Sequence, residues 1–203
     1  MAWTDQNAER FAFDSTIAAG DTLRLGAHNW RAFAAPGHDM GALMFFCEEQ
    51  RVLISGDALW ENGLGAIWPE EAATRHIDAA LETLAQIREL NPGLVIPGHG
   101  SPFTDVSAAI ERAESRMHAF AQDPRRVARH VVKVMFVFAL LDKQRMSRTD
   151  IPAYFDRVGC YGDLNSRFLK LTLQDLAEMI VDELTAANAI RLDEDWIYPT
   201  MAA

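Results

Sequence analysis

Three short stretches decide how this chain is read: A-A-P-G-H-D-M-G-A-L (Ala34–Leu43), S-G-D-A-L (Ser55–Leu59) and V-I-P-G-H-G (Val95–Gly100). Each follows a short apolar or β-branched run and places a polar side chain in a Gly-containing turn. The three side chains are His38, Asp57 and His99. Polar groups on loops at strand ends can be aimed at one point by a rigid scaffold. Imidazole nitrogen together with carboxylate oxygen suits zinc, and also iron or manganese.

Working outward, Thr22–Leu25 and Asn29–Ala34 read as two strands around a turn at Gly26. Ala42–Phe46 and Val52–Ile54 read as a second pair, joined by the polar Glu48–Arg51 turn, with Leu43, Phe45, Leu53 and Ile54 as expected core residues. Trp60–Trp68 is a loop bearing glycine and tryptophan. Pro69 and Glu70 are expected to open a helix, since proline and carboxylates suit a first turn. Ile77, Leu81, Leu84, Ile87 and Leu90 recur at helical spacing on one face, and Asn91-Pro92-Gly93 ends the run. Leu94–Ile96 is then a short buried strand. The alternation of strand, helix and strand periods predicts a layered α/β unit.

After Asp105 the pattern is helical. Expected helices cover Ser107–Ala121, Arg125–Leu141, Met146–Phe155 and Leu164–Asn188. A small hairpin follows, from Ala189–Leu192 and Trp196–Tyr198 around Asp193-Glu194-Asp195. The Val131–Leu141 stretch is apolar nearly all round, so deep burial or a dimerisation role is expected.

The chain has 203 residues, enough for one good core or two small domains. With 49% hydrophobic and 24% charged residues it is expected to be globular. Its net charge is −10, from 19 basic and 29 acidic residues, which disfavours a dedicated nucleic-acid binder. Cys47 and Cys160 form no spacing pattern, and a reduced, cytoplasmic protein is expected. The first residues show neither a basic nor an apolar leader segment. No apolar run is long enough to span a bilayer, so no membrane role is expected.

The three turns, in this order and with these gaps, resemble the metallo-β-lactamase superfamily of metal-dependent hydrolases. The resemblance implies that His38 binds one metal, that Asp57 bridges two and is the catalytic carboxylate, and that His99 binds the second. Two zinc ions per complete site are implied, with iron or manganese as substitutes. Trp60, Glu61 and Asn62, just past Asp57, would line a substrate pocket, with Trp60 equally readable as a core plug. The family's H-x-H-x-D-H motif, which supplies the other ligands, has no counterpart in this sequence; only His28 precedes His38.

The expected architecture is therefore the second half of an αββα sandwich over residues 1–104, followed by a mainly helical, winged-helix-like domain over 105–203. The expected activity of the parent site is hydrolysis of a small-molecule ester or thioester, similar to hydroxyacylglutathione hydrolases, with this chain inactive alone. The alternative is a non-catalytic homodimerising module. Three ligands shared between two metals leave two protein ligands each, and a stable zinc site normally has at least three. Weak or partial occupancy follows. The expected partners are a small-molecule substrate and a second copy of the chain, with no nucleic acid. Acidic residues dominate Leu164–Asn188 and the hairpin tip, which fits that exclusion. His28, His76, His118 and His130 are expected to be solvated or packing residues.

Overall fold

The computed structural model describes residues 3–5, 11–70 and 74–200. The chain divides into two compact units, Ala12–Pro124 and Met1–Phe11 with Arg125–Ala203. The sequence reading divides the chain at Asp105; in the structure the helix after that point belongs with the sheet.

In the Ala12–Pro124 unit, five strands form one sheet in sequential order: β1 (Thr22–Leu25), β2 (His28–Ala34), β3 (Leu43–Cys47), β4 (Val52–Gly56) and β5 (Leu94–Pro97). The first four are antiparallel. β5 pairs in parallel with β4, through a crossover that contains α1 (Arg75–Leu90). Such a crossover is what a parallel pair requires. α2 (Val106–Ala121) packs on α1, and a bidentate Arg88–Glu114 ion pair ties them at 2.9 Å.

The register separates the two faces of this sheet. Phe33, Met44, Phe46, Leu53, Ser55 and Val95 share one face. Of these Met44, Phe46, Leu53, Ser55 and Val95 are buried, with Ile77, Leu84 and Ile87 of α1 and Ala109, Ile110 and Met117 of α2 completing the core of the unit. The other face carries Leu23, Leu25, Trp30, Leu43, Phe45, Val52, Ile54, Leu94 and Ile96, which are half-buried or exposed. This corrects part of the expected core. Leu53 is fully buried, but Leu43, Phe45 and Ile54 lie on the more open face. β3 reads L-M-F-F-C, apolar at every position, so alternation within the strand could not show which side chains turn inward.

The expected helix start at Pro69 is also corrected. Pro69 and Glu70 are irregular, residues 71–73 lie outside the described residues, and α1 begins at Arg75. Glu70 still serves the helix terminus from outside, accepting from the His76 backbone N–H at 3.3 Å. At the other end Asn91 takes a left-handed conformation (φ 48°), and its N–H closes onto the Ile87 and Arg88 carbonyls.

The second unit contains α3 (Pro124–Lys143), β6 (Met146–Ser147), α4 (Ile151–Arg157), α5 (Gly159–Leu164), α6 (Leu173–Ala186), β7 (Ile190–Asp193) and β8 (Trp196–Pro199). The short strands form an antiparallel sheet in the order β6-β8-β7. Two expected helices are corrected. Met146–Phe155 opens with a strand rather than a helix. Leu164–Asn188 is broken by a wider turn over Asn165–Leu169 and by Lys170 at φ 58°. Asn165 explains the break: its side-chain amide donates to the Leu171 carbonyl and accepts from the Leu171 N–H, so a local alternative replaces the helical ladder. Thr172 then caps α6 through the Asp175 N–H.

The core of this unit is aromatic. Phe155 stacks on Tyr161 with ring centres 4.4 Å apart and meets Phe136 edge-on at 5.4 Å. The Val131–Leu141 stretch is buried at Val131, Val132, Met135, Phe136, Ala139 and Leu140, as its composition requires. Trp3 and Asp5 belong here too: the Trp3 carbonyl accepts from Cys160 N–H, and Asp5 accepts from Lys143 and from the Tyr154 hydroxyl. Cys47 and Cys160 are free thiols, both buried. Among the described residues no helix is long and apolar enough to cross a membrane.

Candidate active site

The site is built at the ends of β2, β4 and β5. The chain leaves β2 through Pro36-Gly37-His38. Gly37 has φ 147° and lies against Ala80 of α1, where an added Cβ would meet the Ala80 Cβ at 2.9 Å. Two side chains of α1 hold the turn by its carbonyls: buried Thr83 donates to Pro36 O at 2.8 Å, and His76 Nδ1 lies 2.9 Å from Gly37 O. His76, expected as a solvated or packing residue, lies against the first of the three turns. It braces that turn by a contact that spans 39 residues and leaves no local signal.

At the end of β4 the pairing with β5 shifts by one residue, and Gly56 takes φ 53°. Asp57 follows at once. The β5 turn is bonded to it through Gly98 N–H and the Gly56 carbonyl, 2.8 Å apart. This bond sets the Asp57 and His99 turns side by side.

His38 Nδ1 lies 2.6 Å from the Ala66 carbonyl, a contact that makes Nδ1 the protonated nitrogen. Its Nε2 faces the Asp57 carboxylate, 3.6 Å from Oδ2. The other carboxylate oxygen, Oδ1, accepts from the Trp60 indole N–H at 3.2 Å. The same N–H lies 3.2 Å from the Gly56 carbonyl, and the Trp60 ring meets the His99 ring edge-on at 5.0 Å. Gly65 closes over the pair: a Cβ there would meet His38 Cγ at 2.7 Å and Asp57 Cβ at 2.8 Å. A Cβ on Gly98 would meet Asp57 Oδ1 at 2.7 Å. Two glycines thus permit a packing around Asp57 that no other residue would.

The structure brings His38 and Asp57 together and places His99 against Trp60. Among the described residues no group of three or more histidine, cysteine or acidic side chains could hold a metal ion. His38 and Asp57 are two donors, fewer than a stable zinc site needs. Glu61 and Asn62 are exposed, and their backbone carbonyls are bound from α2: Arg112 donates to Glu61 O at 2.7 and 3.0 Å, and Arg116 to Asn62 O at 3.0 Å. These two arginines are absent from the sequence reading. Their partners lie 51 and 54 residues away and are backbone atoms, so no motif marks them. His28 pairs with Glu49 at 3.2 Å, away from the three turns.

Residues 7–99, just under half of the chain, match the family model of the metallo-beta-lactamase superfamily. Among curated proteins it is similar to the "Probable metallo-hydrolase YqjP" of Bacillus subtilis, 27% identical over 127 residues, which are 58% of this chain and 40% of that protein. A hydroxyacylglutathione hydrolase of Bartonella henselae is 29% identical over 42% of this chain and 32% of its own length. The chain therefore spans less than half of either relative. Among solved structures, a beta-lactamase domain protein from Burkholderia ambifaria aligns with 91% of this chain and 52% of its own, with 22% identity and a TM-score of 0.48.

Proposed function

We propose that this chain carries one half of the site of a metal-dependent hydrolase acting on a small-molecule ester or thioester, and that the chain alone has no substantial turnover. The observation that carries the reading is the His38–Asp57 pair. Nδ1 of the histidine is committed to a backbone carbonyl and Nε2 is turned to Oδ2 of the carboxylate. A metal-ligating histidine typically fixes its tautomer in this way, through the nitrogen that does not bind. Asp57 would be shared between two ions and His99 would serve the second, with zinc as the metal that best suits nitrogen and oxygen donors. A bound metal would supply a hydroxide at neutral pH.

The relatives named as metallo-hydrolase and hydroxyacylglutathione hydrolase support the reaction class. In that reading the exposed loop at Glu61 and Asn62 borders the substrate. Assay of the zinc-supplemented chain with a small thioester and a small aryl ester tests the proposal. Rates at background are expected. Robust turnover that disappears in His38→Ala would show that the chain is a complete enzyme.

A second reading has its own observation. The more open sheet face leaves Leu25 49% and Ile96 37% exposed, beside half-buried Trp30, Phe45 and Ile54. A contiguous apolar face of this kind favours association. The chain would then be a homodimerising module without catalysis. Sedimentation that stays monomeric across a wide concentration range would remove this reading.

The helical unit fits a winged-helix-like packing element, since the β7–β8 hairpin pairs with β6 and the helices α4 to α6 lie between them in sequence. Its α6 presents Asp175, Glu178 and Asp182, and its hairpin tip is Asp193-Glu194-Asp195. Phosphate would be repelled by both, which supports the absence of a nucleic-acid partner.

A further inference from the structure

We infer that Trp60 is a positioning residue of the site: its indole N–H holds the Asp57 carboxylate in one orientation, and its ring sets the imidazole of His99. The inference rests on the reading that Asp57 and His99 are ligands, and it adds what keeps them in place.

The Asp57 side chain has two oxygens and two neighbours. Oδ1 accepts from the indole N–H at 3.2 Å, and Oδ2 faces His38 at 3.6 Å. Because the indole N–H is also 3.2 Å from the Gly56 carbonyl, the donor is shared between the backbone of the turn and the side chain that follows it. Rotation of the carboxylate would break the first contact, and the close approach of Gly65 and Gly98 packs the backbone tightly around the Asp57 side chain. The Trp60 ring then meets His99 edge-on, at 5.0 Å between centres. One side chain thus touches two of the three motif residues.

Trp60 is itself held. Its backbone closes a two-way bridge with Gly63, at 2.7 and 3.4 Å. Arg112 and Arg116 of α2 fasten the intervening carbonyls of Glu61 and Asn62. Gly63, at φ 143°, lies so close to Arg116 that a Cβ would strike the guanidinium. The loop is therefore a rigid arm from α2 to Asp57 rather than a flexible rim. Rigid support of this kind is what holds a functional side chain within the narrow tolerance a site needs.

The test combines spectroscopy with zinc titration on the full chain. In a 15N-labelled sample the Trp60 indole resonance is assigned by its loss in Trp60→Phe. It is expected to shift and to exchange faster in Asp57→Ala, to stay near its wild-type position in Asp57→Asn, which keeps an oxygen acceptor, and to be unmoved in His38→Ala. Zinc titration of the same proteins separates this inference from the reading beneath it. Trp60→Phe, which keeps the ring and removes the donor, is expected to weaken zinc binding about tenfold, while His38→Ala abolishes it. An indole resonance that ignores Asp57→Ala, with zinc binding unchanged in Trp60→Phe but lost in His38→Ala, would overturn the inference and leave the reading standing. Zinc binding that is absent from the wild type or indifferent to His38→Ala would overturn the reading instead, and the indole shift would still decide whether Trp60 holds Asp57.

Discussion

The two units arrange their apolar surface differently, although each leaves some large apolar side chains exposed. The helical unit gathers a buried cluster, with Phe136, Phe155, Tyr161, Leu140 and Ile180 nearly inaccessible, and leaves Phe138, Leu192 and Trp196 exposed at its surface. The sheet unit buries one face and leaves the other half-open, with its polar motif residues gathered at the strand ends. The half-open sheet face and the His38–Asp57 pair lie in one unit, and the buried aromatic cluster lies in the other.

The sharpest way to break that contrast is to cut into each surface. Phe155→Ala removes the centre of the aromatic cluster and is expected to cost about 3–5 kcal/mol, read as a lower urea midpoint by circular dichroism. Ile96→Lys on the open sheet face is expected to change stability by no more than about 0.5 kcal/mol and to reduce self-association in sedimentation. Equal losses in the two variants would mean that the sheet face is as closed as the helical core. Next in size is Gly65→Ala. The new Cβ has no space between His38 and Asp57, so a loss of about 1–3 kcal/mol is expected, together with loss of zinc uptake. A variant that keeps wild-type zinc uptake would show that the glycine is a turn residue and no part of the site.

The smallest effect concerns the helical unit and pH. The Lys143 ammonium holds the Asp5 carboxyl below its ordinary value of 3.8. A carboxyl depressed in the folded state contributes stability that is present above pH 3.8, and the contribution is lost as pH falls through the folded value. The pair is partly exposed, so the contribution is at most about 1 kcal/mol. Burial pushes the Tyr154 hydroxyl up to about 12, with the Asp5 charge adding to the shift. Its folded form therefore keeps the proton longer than the unfolded chain, and stability declines from about pH 10 toward about pH 12. Asp5→Asn is expected to remove the acid-side loss and to narrow the alkaline one. An unchanged acid limb in that variant would show that Asp5 does not hold the segment at Trp3–Asp5 to the unit.

Much of the sheet unit was legible because its signals are local. Thr22–Leu25 is matched to the residue, and the other strands of this sheet begin or end within two residues of their expected limits. The turns at His38, Asp57 and His99 follow the strands as read, since glycine, proline and apolar runs act within a few residues. What could not be read depends on distance. His76 on Gly37, Thr83 on Pro36, and Arg112 and Arg116 on the Trp60 loop are all contacts between residues at least 39 apart, and all are to backbone carbonyls, which no particular sequence marks. The break in the long helical stretch had the same cause on a smaller scale. Asn165 bonds Leu171 six residues on, a choice that helical periodicity does not register. The Trp60 loop shows both limits at once. The tryptophan is visible in the sequence, but the direction of its indole N–H toward Asp57 and Gly56 is not.

The measurement that tests the central claim most directly is zinc binding to metal-free protein, by titration of the wild type and His38→Ala, with elemental analysis of protein that has never met a chelator. The account predicts weak uptake by the wild type, well below two ions per chain as purified, and none by His38→Ala. Uptake unchanged by that substitution would contradict it, because the His38–Asp57 pair would then be no part of a metal site.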